Sequence, residues 1–152
     1  MNMYPTYITL HILFAGIWLS FFITEFILRG RINKEVSVKE NISSYLMFTN
    51  IFGISGSIGI LLTGILLVLN SGYGFFDMTS NHWLAAKQII LVVILLITFS
   101  MVIPTAGEIR RELGKDGDMP KNNLKKLFKA NIIINALVLV NFLFAITYRF
   151  YA

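Results

Sequence analysis

Four long apolar runs constrain this chain more than any other feature of its sequence. They cover residues 7–28, 45–69, 83–103 and 130–148, and each holds about 19 to 25 residues. A helix needs roughly 17–25 residues to cross about 30 Å of hydrocarbon. An isolated strand in lipid leaves its backbone groups unpaired, so each run is predicted to be a membrane-spanning helix.

The composition excludes a soluble enzyme domain. Hydrophobic residues make up 56% of the chain and charged residues only 14%, against about 25% charged in a typical globular protein. The sequence contains no cysteine. This chain therefore supplies no disulfide, zinc–thiolate or iron–sulfur ligands.

The loops carry opposite charge patterns. Residues 29–44 and 104–129 hold eleven Lys and Arg residues, whereas only Arg149 lies in the termini and the segment 70–82. The positive-inside rule places the two basic loops in the cytoplasm and both termini outside. We expect an all-α protein, a four-transmembrane-helix antiparallel bundle forming one domain over residues 1–152, in the bacterial inner (cytoplasmic) membrane. The net charge of +5 then reflects loops at an anionic lipid leaflet and not nucleic-acid binding.

Ionisable residues inside the spans are costly and usually face the interior of a membrane protein. In the first span, His11 and Glu25 share a predicted helical stripe with Ala15, Trp18 and Phe22. Glu25 allows two interpretations, an interfacial pair with Arg29 or a group of the interior.

Lys87 in the third span is predicted to lie at the depth of His11, on a stripe with Trp83. It either snorkels to the outer surface or pairs with an anionic ligand group. His82, beside Trp83, is expected at the outer interface and is a weak metal-ligand candidate.

Two further patterns concern helix geometry. Ser55, Gly59 and Thr63 are spaced four residues apart, which allows close helix packing or a flat ligand against the backbone. Pro104 is predicted to close the third span, with a helical extension over 108–113 ended by Gly114.

Three segments carry a family resemblance: His11–Trp18 (HILFAGIW), Thr63–Leu69 (TGILLVL) and Trp83–Lys87 (WLAAK). They resemble a family of small four-span bacterial integral membrane proteins. That family is distantly similar to the HemJ-type protoporphyrinogen oxidases and to the copper-resistance D-type membrane proteins. For copper, the sequence holds no dense Met or His cluster.

In the HemJ-type oxidases, a haem b is thought to sit in the bundle, with a first-span His and a third-span Trp-Leu-His-x-Lys segment important. His11 matches the former, and Trp83, Leu84 and Lys87 match part of the latter. Ala85 stands where that family has His, so a second axial ligand would come from His82, Lys87, a methionine or a partner chain. The resemblance thus implies His11 as the haem ligand.

Two functions stay open at this point. The first is a haem- or porphyrin-binding redox bundle, with His11, Trp18, Trp83 and Lys87 at a site in the outer-leaflet half and Lys87 neutralising a propionate. The second is a non-catalytic membrane subunit, carrier or assembly factor that works with a partner protein or as a homo-oligomer. The sequence shows no catalytic constellation such as a carboxylate pair, a nucleophile–base arrangement or a phosphate loop, so enzymatic activity is left undecided.

Overall fold

Helices account for nearly all of the chain that the computed structural model describes, which is residues 3–34, 38–115 and 120–151, with side chains as far as Thr147. In chain order the helices are α1 (Tyr4–Asn33), α2 (Val38–Phe48), α3 (Ser55–Ser71), α4 (His82–Ile97), α5 (Ile103–Leu113) and α6 (Lys121–Tyr151). Two π-helical segments, π1 (Thr49–Ile54) and π2 (Thr98–Val102), join α2 to α3 and α4 to α5. The predicted all-α class is confirmed.

Four helices are long and apolar enough to cross a membrane: Tyr4–Asn33, Val38–Ser71, His82–Leu113 and Lys121–Thr147. Each overlaps one of the four predicted spans and extends beyond it toward the basic loops. The helices form two compact units whose boundary lies between Tyr73 and Gly74. In each unit two antiparallel long helices pack as a hairpin, and we call the end nearest the basic loop its tip.

In the first hairpin, α1 packs along α2, π1 and α3. Its buried residues are Trp18, Phe21, Glu25, Leu28 and Ile32, which alternate in steps of three and four. This 3.5-residue period is typical of helices that pack at a small crossing angle. The period places Phe21 in the core at 4% exposure and Phe22 outside at 47%, so the prediction that Phe22 faces the interior is wrong.

In the second hairpin, α4, π2 and α5 pack against α6. The ring of Trp83 makes an edge-to-face contact with Phe144, with ring centroids 5.2 Å apart. Near the tip, the Asn123 side chain of α6 donates to Glu112 Oε1 of α5 at 3.1 Å. The predicted extension over 108–113 is confirmed, since α5 ends at Leu113 and is capped by Gly114.

The π2 segment explains how the third long helix continues past Pro104. A proline clashes with the carbonyl four residues earlier in a regular helix. Pro104 directly follows π2 and occupies the first turn of α5. A π turn is wider than an α turn, which lets the helix continue past the proline. That the membrane span itself ends at Pro104 stays a prediction.

A threonine opens each π segment, and its side chain hydrogen-bonds within the helix. The hydroxyl of Thr49 donates to the carbonyl of Tyr45 at 2.8 Å, and that of Thr98 donates to the carbonyl of Ile94 at 2.8 Å. The carbonyl of Ile94 also accepts from the backbone N–H of Thr98. In hydrocarbon an unsatisfied hydroxyl is costly, so these bonds let the helix hold a polar side chain at each π segment.

The segment between the hairpins' long helices is held by local hydrogen bonds. Gly72 caps α3 in the left-handed region at φ 76°, where glycine avoids a Cβ clash. Asp77 accepts bonds from the hydroxyls and backbone amides of Thr79 and Ser80. The Asn81 side chain then accepts from Leu84 N and caps α4.

Candidate functional site in the first hairpin

His11 and Thr63 face each other across the first hairpin, in the half away from the tip. His11 Nδ1 of α1 lies 2.8 Å from Thr63 Oγ1 of α3. Thr63 is buried at 4% exposure, whereas His11 is half-buried. The sequence places both residues on interior faces but does not pair them.

The hydroxyl of Thr63 bears on which nitrogen of His11 carries the proton. Besides His11 Nδ1, Thr63 Oγ1 lies 2.6 Å from the carbonyl oxygen of Gly59 and 3.3 Å from that of Ile60. When its single hydrogen goes to one of these carbonyls, the oxygen accepts from His11 Nδ1, and Nε2 is the basic nitrogen of the neutral ring. When the hydrogen goes to Nδ1, the two nitrogens exchange these roles. Metal-ligating histidines are commonly oriented in this way, through a hydrogen bond made by the other ring nitrogen.

Glycines of α3 allow this close approach of the helices. A Cβ built on Gly59 would lie 2.2 Å from the ring of Phe14, and one on Gly64 would lie 3.6 Å from His11 Cε1. Gly56 faces Trp18 in the same way, with a Cβ distance of 3.4 Å. Of the predicted small-residue surface, Gly59 and Thr63 thus pack against α1, whereas Ser55 is exposed.

Trp18 lies two turns further along α1 than His11, at 4% exposure. It packs beside Gly56 as part of the α1–α3 contact. Its predicted role in holding a cofactor stays a prediction.

The predicted residues of the third span gather in the second hairpin. His82 is exposed at the start of α4, and its ring centroid lies 5.5 Å from that of Trp83. Lys87 is half-buried, one turn along α4 from Trp83. Since Trp83 contacts Phe144, Lys87 lies near the level of Asn141, one turn before Phe144 on α6.

Sequence reasoning did not single out Gln88. Its Oε1 accepts a 2.6 Å bond from the backbone N–H of Phe76, a residue held at the positive φ of 55°. Gln88 Nε2 and Asn141 Oδ1 are buried and have no hydrogen-bond partner among the described residues. The second hairpin therefore offers a donor and an acceptor in its half away from the tip. No residue spacing marks this position in advance.

Comparison with known proteins adds no family: no family model, no curated protein and no solved structure matches this chain.

His11 and Lys87 belong to different hairpins, and their predicted approach stays a prediction. The resemblance to the HemJ-type oxidases likewise stays a prediction.

Proposed function

We propose that this chain is a multi-pass protein of the bacterial inner membrane that binds haem b, with His11 as an axial ligand. The observation that supports this is the hydrogen bond between His11 Nδ1 and Thr63 Oγ1. It positions the imidazole ring through one nitrogen, and a hydrogen bond made by one ring nitrogen is how a metal-ligating histidine is commonly oriented.

The donor set favours haem over a metal ion held by side chains alone. Such an ion needs three or four protein ligands. Within the described residues, no three His, Cys, Asp or Glu side chains gather at one place. A haem iron takes four nitrogens from the porphyrin and needs only one or two axial ligands from protein.

When bound, haem would supply one-electron redox chemistry. The chain's own contributions would be orientation and charge. Thr63 holds the ring of His11 in place. Lys87 belongs to the second hairpin, and its predicted pairing with an anionic group such as a propionate stays a prediction.

The visible absorption spectrum of the purified protein, expressed with haem supplied, tests this function. We expect a Soret band in the native chain and in His82→Ala, because His82 is exposed beside Trp83. His11→Ala should lose the band while remaining folded by size-exclusion chromatography. A colourless native protein, or a band that is unchanged in His11→Ala, contradicts the proposal.

One observation favours the second candidate, a membrane subunit that works with a partner. Gly16, Ser20 and Thr24 lie four residues apart on α1, and Gly16 and Ser20 are exposed. A Cβ on Gly16 would meet nothing within 4 Å, so another helix could approach closely there. If this is the function, a stoichiometric partner or a second copy should co-purify with the native chain. Gly16→Ile should abolish this co-purification, because the larger side chain prevents the close approach of another helix.

A further inference from the structure

Three lysines form a cluster on the tip part of α6. Lys125, Lys126 and Lys129 are all exposed, and their spacing of three and four residues makes them neighbours on one face of the helix. We call them the lysine cluster. None of the three makes a hydrogen bond or an ion pair to another residue that the structure describes. Like charges at this spacing repel each other, so an anion bound among them would stabilise the helix.

The acidic side chains of the described second hairpin do not compensate the lysine cluster. The helix α6 contains no Asp or Glu. On α5, Glu112 accepts from Asn123 of α6, and the antiparallel helices then place Glu108 at the level of the cluster. Glu108 is exposed and makes no ion pair with a described residue. Asp116 and Asp118 lie outside the described residues. The described chain thus leaves the cluster open to an anion from outside.

The same face of α6 continues as an apolar surface. From Lys129, steps of four, three and four residues lead to Ile133, Ala136 and Val140, which are all exposed. Because the side chain of Ala136 is small, an acyl chain can approach the helix closely there. The face therefore offers cations at one end and an apolar strip along its length, which together match an anionic amphiphile.

The lysine cluster lies at the level of lipid head groups. Lys129 directly precedes the predicted span, and Lys125 lies about 6 Å further out along the helix axis. The head-group layer on each side of a bilayer is roughly 5–8 Å thick. The cluster therefore falls within that layer. Lys121, about 12 Å further out than Lys129, lies beyond it.

The exposed cations in the described part of the first hairpin form no such cluster. Arg31 lies in the last turn of α1, and Lys34 follows the helix. Lys39 of α2 is followed directly by the exposed Glu40. A basic tip by itself does not produce three neighbouring lysines on a lipid-facing helix surface, so the first hairpin serves as a comparison for the second.

We propose that this face of α6 binds an anionic phospholipid, with the phosphate at the lysine cluster and an acyl chain along Ile133, Ala136 and Val140. Charge complementarity identifies the head group, and the continuity of the cluster with the apolar strip identifies a lipid as its source. A free phosphate would use only the cluster. The proposal goes beyond haem binding and needs no cofactor, because it rests only on the insertion of the second hairpin in a bilayer.

Fluorescence quenching by labelled lipids tests the site locally. Because the chain contains no cysteine, a bimane label on Ile132→Cys, an exposed position beside this face, is unique. The labelled chain is reconstituted in phosphatidylcholine with a small fraction of doxyl-labelled phosphatidylglycerol or doxyl-labelled phosphatidylcholine. We expect a preference of about fivefold for phosphatidylglycerol, since one lysine near a membrane surface contributes about that factor.

Paired substitutions test the role of the lysine cluster. Lys125→Gln with Lys129→Gln should abolish the preference, and Lys125→Arg with Lys129→Arg should keep it because the charges remain. Lys115→Gln with Lys121→Gln removes the same charge from exposed residues further out and should leave the preference unchanged. Replacing chloride with inorganic phosphate at equal ionic strength should also leave it unchanged.

A second label keeps the test decisive if the glutamine variant does not fold. Ile27→Cys lies on the exposed surface of α1, one turn before Arg31, and should show a weaker preference for phosphatidylglycerol. Equal quenching by the two lipids at Ile132→Cys, or an equal preference at the two labels, would overturn the proposal. Equal losses in the two glutamine pairs, or competition by inorganic phosphate, would do the same.

Discussion

Gly59 of α3 faces the ring of Phe14 on α1 so closely that a Cβ on the glycine would lie 2.2 Å from the ring. A contact below 3 Å forces the aromatic ring or the helix to move. We therefore expect Gly59→Ala to destabilise the first hairpin by about 1–3 kcal/mol, the usual cost of overpacking. Thermal unfolding in detergent, followed by size-exclusion chromatography, measures the effect.

Gly16→Ala is the matched control for this substitution. Gly16 lies in the same hairpin, and a Cβ there would meet nothing within 4 Å. Alanine should be neutral or stabilising by about 0.5–1 kcal/mol, because it restricts the unfolded chain. Equal losses of stability in Gly59→Ala and Gly16→Ala would mean that the Gly59–Phe14 contact does not cause the destabilisation.

We expect Thr63 to set the tautomer of His11, and this can be observed directly. With the native Thr63, ¹⁵N NMR of the neutral His11 ring should show the Nδ1–H form, because a threonine hydroxyl that donates to a carbonyl of its own helix accepts at its oxygen. Thr63→Ser keeps the hydroxyl and should keep this form. Thr63→Val removes the acceptor, so a mixture of tautomers is expected; an unchanged spectrum would show that Thr63 does not orient the ring.

The hydroxyls that open the π segments should contribute to stability. Thr49→Val and Thr98→Val each leave a carbonyl without its side-chain donor, and we expect a loss of about 1 kcal/mol each. Thr147→Val provides the comparison, because the half-buried Thr147 makes the same kind of bond, to the carbonyl of Leu143, within a regular helix. If Thr147→Val loses as much stability as Thr49→Val and Thr98→Val, the threonine hydroxyls have no special role at the π segments.

Asp77 should keep the segment before α4 ordered in mild acid. The hydroxyl of Ser80, then that of Thr79, then their backbone amides hold the pKa of Asp77 well below its ordinary value of 3.8. A depressed pKa in the folded state means that this contribution is complete above the ordinary value. It is lost only as the pH falls through the lower folded value.

Hydrogen exchange at Thr79 and Ser80 measures this contribution. Asp77→Asn should accelerate exchange relative to the native chain, with a ratio that is constant from neutral pH down to about pH 4. The ratio should shrink only in stronger acid, as the native carboxylate is protonated. A ratio that has already fallen by half near pH 3.8, the ordinary pKa of an aspartate, would contradict the depressed pKa.

Hydropathy predicts the four long helices because a segment in lipid must pair its backbone N–H and C=O groups within a helix, whichever helices it packs against. It does not predict π1 and π2, since the extra residue of a π turn depends on packing against the facing helix. The hydrogen bonds between Tyr45 and Glu25 and between His11 and Thr63 also escape sequence reasoning. Tyr45 and Thr63 face α1 in the register of the folded hairpin, and no spacing in the chain encodes that register. Phe21 and Phe22 both lie at helical spacing between Trp18 and Glu25, so the spacing alone does not decide which of the two faces the neighbouring helices.

The membrane orientation is the last prediction, and the absence of native cysteines makes it easy to test. Met78 lies between α3 and α4 and is 50% exposed, and Lys115 is exposed just after α5. The positive-inside rule places Met78 outside and Lys115 in the cytoplasm. A membrane-impermeant maleimide added to intact cells should therefore label Met78→Cys, and should label Lys115→Cys only after lysis. The reverse pattern would invert the orientation and place His11 in the cytoplasmic half of the membrane.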